Sequence, residues 1–184
     1  MNECRTITRK DEQCGVYAVE FAIVFPVFFL VVYAILTYGL IFAAQQTLTF
    51  AAEDAARSAL RWQSGAAEAS VEKRMIAARE RAVELTRWVA RMAGAEHVQV
   101  QVCPRGDRLR SVAGVGGHPE LCLDGDETAP SYSPDTIEVV VRYRYGLAPL
   151  VPALGPEAVF RVLLPNALYA RAFVDLSIGL VHVD

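Results

Sequence analysis

Glu20 stands five residues after Gly15, at the mouth of a run from Phe21 to Ala44 that contains no charged residue. A carboxylate beside a membrane-length apolar helix is costly, so a chain that keeps one generally uses it. The plain alternative is that Glu20 marks a helix end at the lipid headgroups, where its charge costs little. Pro26 follows six residues later, about one turn into the run, where a proline bends a helix without ending the span.

Other chemistry-bearing residues are scattered. His97, His118 and His182 form no helical pair that would hold a metal. Nucleophile-elbow, phosphate-loop and dinucleotide patterns are all missing, so the sequence predicts no enzyme and no cofactor. Asp124-Gly125-Asp126-Glu127 gathers oxygen ligands of the kind calcium takes, and equally reads as a solvated turn. Arg105-Gly106-Asp107 spells an adhesion tripeptide, a pattern short enough to arise by chance in any loop. Cys4 and Cys14 match no zinc spacing, and no apolar run precedes Cys14 as a lipoprotein site would require.

The elements that must position these groups begin with the apolar run. Roughly two dozen residues at about 1.5 Å rise make a helix of about 36 Å, enough to cross a hydrocarbon core of about 30 Å. Only a helix satisfies its own backbone in lipid. A cleavable secretory signal would have a shorter apolar core ending at a small-residue site, so a single-pass anchor is the reading. Arg5, Arg9 and Lys10 precede the run, whereas the first basic residue after it is Arg57. That asymmetry places the N-terminus inside the cell and the bulk of the chain outside.

Beyond the span, helix is expected to continue through Thr47–Trp62 until Ser64-Gly65 breaks it. A second helix is predicted over about 66–93, with Gly94 as its cap. Its apolar stripe is Val71, Met75, Ala78, Ala82, Leu85, Val89 and Met92, widened by Ile76, Val83 and Ala90. His97 to Cys103 alternates with its valines on one face, and Ile137, Val139, Val141, Tyr143 and Tyr145 do the same. Ala158–Leu164 and Tyr169–Val183 read as further strand-like runs, and the three prolines within Gly146–Pro156 read as a loop or edge. The fold class is therefore α+β: one N-terminal transmembrane helix extends into a domain whose second helix packs on a small antiparallel sheet of three or four strands.

The residues around Glu20 carry a resemblance. Gly15, then Val16-Tyr17-Ala18-Val19, Glu20, Phe21, an apolar run and Pro26 resemble the processing site of type IV pilin-like proteins, most closely the TadE-like family of tight-adherence pilus assembly. Gly39 and the Ala-rich stretch Ala51–Arg57 resemble later features of that family. The resemblance is good over Gly15–Arg57 and loose beyond. It implies that a prepilin peptidase cuts between Gly15 and Val16 at the cytoplasmic face, removing the leader Met1–Gly15 and leaving Val16 as a methylation candidate. Glycine suits the cut because it lets the scissile backbone extend and approach an enzyme closely. The new Val16 amine pairs with Glu20, within one chain or between neighbours, a strong contact in low dielectric and a register device between subunits. Implied partners are the membrane, the peptidase, other pilins and pilus-assembly membrane proteins. Ala34, Gly39, Ala43 and Ala44 are small enough for close helix approach. The implied role is a minor pilin or pseudopilin of a thin adhesive pilus, in the bacterial inner membrane or on the surface. The rival reading is an untrimmed single-pass protein whose outer domain binds a ligand or partner.

The organisation that follows is a leader at 1–15, a processing site and transmembrane helix at 16–44, and an extracytoplasmic domain at 45–184. Once the leader is gone, Cys103 and Cys122 are the remaining cysteines, and an even pair outside the cell reads as a disulfide. Such a loop closure is worth about 3 kcal/mol in the chain-entropy treatment. A net charge of −3 offers no electrostatic footprint for nucleic acid.

Overall fold

The computed structural model describes residues 10–61, 67–106, 109, 112–123, 133–152 and 164–176. The chain divides into two compact units, Met1–Leu40 and Ile41–Asp184. Element order is α1 (Lys10–Ser58), α2 (Ala67–Leu85), α3 (Arg87–Ala93), β1 (Val98–Pro104), α4 (Glu120–Leu123), β2 (Thr136–Tyr143) and β3 (Leu168–Asp175). This is the α+β architecture that the sequence predicts: a long apolar helix, a second helical segment and a three-stranded antiparallel sheet.

Helix α1 is one uninterrupted helix of 49 residues with Pro26 inside it. Pro26 has no N–H to give the carbonyl of Ala22, and the helix tolerates that single loss. Within the second unit, α1 turns a stripe of Ala44, Leu48, Ala51, Ala52, Ala55 and Ala59 inward, each fully buried. Their three- and four-residue spacing makes one face, and their small size lets the helix axis approach the core closely. Trp88 Nε1 donates to Thr47 Oγ1 at 3.2 Å, and Arg81 Nε meets Asp54 Oδ2 at 2.7 Å, tying α3 and α2 to α1.

The single helix expected over 66–93 is two helices, divided at Thr86. Thr86 is buried, and its hydroxyl donates to the Ala82 carbonyl at 2.8 Å, a competing bond that bends helices. The inward stripe runs through Met75, Ala78, Ala82, Thr86, Val89 and Ala93 rather than through Leu85 and Met92. Met92 is 57% exposed, and Ile76 and Val83, expected to widen the stripe, face outward as well.

The sheet order is β1-β2-β3, with Val102 opposite Val139 and Val139 opposite Ala172. One face sends Val100, Val102, Ile137, Val139, Val141 and Tyr143 into a core shared with the helices. The alternation of β1 suggests a half-solvated strand, yet Gln99, Gln101 and Cys103 on its other face are buried too. His118 donates its N–H to Gln101 on that second face, where Cys103, Leu121 and Val140 form a separate small cluster. The expected strand over 158–164, apart from Leu164, lies outside the described residues, as do Trp62, Ser64-Gly65 and 177–184. Residues 146–152 form turns and no strand.

Candidate functional site

Gly15 and Val16 lie inside α1, which is already helical from Lys10. This is the conformation of the free chain; the extended form expected at Gly15 belongs to the chain held by a peptidase. Glu20 is exposed on the same helix. Phe21 is exposed next to it and its ring packs against Phe25 at 5.2 Å between centroids; Phe25 in turn lies 6.4 Å from Phe29. This aromatic ladder was legible in the four-residue spacing of 21, 25 and 29, though the sequence reading singled out Phe21 alone.

The helix is long and apolar enough to cross a membrane, and none of its most apolar 18-residue window is buried within the protein. Phe28 and Ile35 are both about two-thirds exposed. Such a surface is stable only against lipid or against other helices. Of the small residues on α1, Gly39 has open space around it, while Ala44 is fully buried in the core and unavailable for contact with another chain.

In the second unit, Cys103 of β1 and Cys122 of α4 are disulfide-bonded, with Cα atoms 5.6 Å apart. Beside them, opposite Cys103 in the sheet, lies a carboxylate. Glu138 of β2 is fully buried, with Arg105 Nε on its Oε2 at 2.5 Å and Arg171 Nη1 3.7 Å from its Oε1. That Oε1 accepts no hydrogen bond. Arg105 is thus committed to an internal ion pair, while Asp107, the last residue of its tripeptide, lies outside the described residues. Gly106 admits no side chain, because a Cβ there would lie 2.0 Å from the Pro134 carbonyl oxygen. A cleft of about 490 Å³ lies alongside, lined by Gln101, Arg105, Pro119 and Cys122 among others.

The remaining predicted groups do not converge. His97 sits 3.5 Å from Glu96 and His118 sits 3.3 Å from Glu120, in separate pairs. Among the described residues, no three His, Cys, Asp or Glu side chains are grouped to hold a metal ion. Asp124–Glu127 lies outside the described residues, as does His182. Among the described residues, two groups are shifted from their ordinary values. The Arg81 guanidinium is held above its ordinary value by its hydrogen bonds to Asp54 and then Glu84. Tyr143, whose hydroxyl donates to the Ala148 carbonyl, is pushed up to about 12 by burial first and by Tyr145 second.

No curated protein and no solved structure matches the chain. The N-terminal segment is different: residues 15–57, which hold Gly15, Glu20, Phe21 and Pro26 and stop one residue short of the end of α1, match the family model described as TadE-like protein.

Proposed function

We propose that this chain is a minor pilin or pseudopilin that takes part in assembling a thin adhesive pilus of the tight-adherence type. The single observation that carries the reading is the family match over residues 15–57, which spans the glycine, the carboxylate and the apolar helix together. In this reading the protein is anchored in the bacterial inner membrane with its N-terminus in the cytoplasm and the Ile41–Asp184 unit outside. A prepilin peptidase removes Met1–Gly15, and for that the first turns of α1 must unwind around Gly15. The new Val16 amine and Glu20 set register against neighbouring pilins, while the uncovered apolar face of α1 packs with their helices as subunits leave the bilayer. The role is structural: the chain performs no catalysis, needs no cofactor and does not bind nucleic acid.

One observation favours a second reading. Helix continues unbroken across Gly15–Val16, which suits a single-pass protein that keeps its leader and uses its outer domain to bind a ligand or partner. The two separate on the N-terminus and intact mass of the protein from cells with and without an active prepilin peptidase. A start at Val16 that depends on the peptidase is the expected result. Met1 retained in both would overturn the pilin reading in favour of the plain anchor.

A further inference from the structure

Strand β1 is a sheet edge with an unusual composition: Val98-Gln99-Val100-Gln101-Val102-Cys103-Pro104 alternates strictly and carries no charge. An exposed edge of this kind is a template for pairing with another chain, and proteins ordinarily protect it with charges, bulges or covering segments. Here Pro104 ends the strand, and no lysine or glutamate guards the rest. In an antiparallel ladder a residue turns its N–H and its carbonyl to the same side, and residues two apart agree. Val102 turns both groups away from β2, so Val98 and Val100 do likewise.

What covers this edge is the segment that the disulfide holds. Val102 N–H donates to the Val115 carbonyl at 2.8 Å, and Val115 N–H returns a bond to the Val102 carbonyl at 2.9 Å. Gly116 lies flat against the strand: a Cβ there would come within 2.4 Å of the Val100 carbonyl oxygen. His118 N–H donates to Gln101 Oε1 at 2.9 Å. Among its described residues the apolar anchors are Leu109 and Leu121, which are buried, and Val112 and Val115, which are only partly so. One covalent bond, Cys103–Cys122, joins the end of the cover to the strand it protects.

We propose that the Cys103–Cys122 disulfide is a latch on the outer edge of β1, and that in the reduced chain this edge opens and pairs with β1 of a second copy. An antiparallel partner centred on Val100 sets valine opposite valine at 98 and 102 and buries no charge. Closing the latch joins the two Sγ atoms and passes their two protons and two electrons to a partner disulfide, whose S–S bond breaks and which leaves as a dithiol. The timing, reduced in the cytoplasm and closed after export, rests on the orientation proposed above; the latch itself does not.

The test uses the full-length chain in detergent micelles, compared as oxidised wild type, wild type treated with reductant and alkylated, and Cys122→Ser. Hydrogen exchange is followed separately over 98–104, 112–118 and 136–143, with mass determined by light scattering. The expected result is exchange roughly tenfold or more faster over 112–118 in both reduced forms, with 136–143 still protected, and a dimer that the oxidised chain does not form. Unchanged protection at 112–118 after reduction would show that the cover holds without the bond and overturn the latch. Protection lost equally over 136–143 would overturn it as well, by making the disulfide a support of the whole sheet. A reduced chain that opens yet stays as monomeric as the oxidised one overturns the self-pairing. Because none of these readouts involves the leader or a pilus, failure here leaves the pilin reading standing, and the reverse also holds.

Discussion

Glu138 and Glu20 show how differently one side-chain type is used in this protein. Glu20 is exposed on an apolar helix, and in the proposed reading it sets register between pilin subunits. Glu20→Ala is expected to leave membrane insertion intact and to impair incorporation with other pilins; normal piliation in that variant, measured as pilus yield at equal membrane abundance, would sink the register role. Glu138 is buried on the sheet, and its value is internal. Removing one partner of a buried pair strands the other charge, so Arg105→Ala is expected to cost about 3 kcal/mol, the low end of the range because Arg171 stays within 3.7 Å. Denaturant unfolding of the outer domain checks this, and a loss under about 1 kcal/mol would mean the pair is as weak as a solvated one. Tyr143 supplies a pH dependence. Its folded value of about 12 stands above the ordinary 10.0, so its contribution is fully present below pH 10 and is lost as pH rises through 12. Tyr143→Phe should lose about 1 kcal/mol at neutral pH with its hydrogen bond to Ala148. It should also show a shallower alkaline decline than wild type; identical pH profiles would remove Tyr143 as the cause.

At the scale of elements, α1 does two jobs with two compositions. Its first part is large and apolar on every side, while the part within the second unit turns alanines inward. The close approach these alanines allow makes the position intolerant of bulk. Ala55→Leu is expected to destabilise the outer domain by about 1–3 kcal/mol through overpacking, read as a lowered melting temperature. A neutral result would mean that α1 stands off the core. The division of the second helix at Thr86 carries a related lesson. Apolar periodicity continues across that residue, so pattern alone predicts one helix. At the division a buried hydroxyl bonds back to Ala82, and whether a threonine in a helix faces solvent or its own backbone is decided by what packs around it.

For the whole molecule, the unit boundary has a direct consequence. Ile41 and Ala44 belong to the core of the second unit, which therefore begins inside the apolar run rather than after it. A chain comprising residues 41–184 should melt cooperatively with Cys103–Cys122 formed, followed by circular dichroism and by mass after alkylation. A broad, non-cooperative transition would show that the first forty residues are needed to complete the fold. The same boundary explains why Ala44, which by sequence suits contact with another helix, is spent within its own domain.

The sequence by itself determined what depends on local order and composition. Gly15, Glu20, Phe21 and Pro26 in series, the uncharged run behind them, and the period-two and period-three-to-four patterns beyond were enough for the span, the family resemblance and the α+β class. Those signals are periodic, and periodicity follows from backbone geometry. Tertiary structure alone decided which polar residues went inside. Glu138, Gln99 and Gln101 alternate with valines and read as a wet face; they are buried because His118 closes over the two glutamines while Arg105 and Arg171 close over Glu138. That outcome depends on a contact between β1 and a segment distant in sequence, which no local pattern encodes. Arg105 reads as part of a surface tripeptide for the same reason, until its partner 33 residues away is brought beside it.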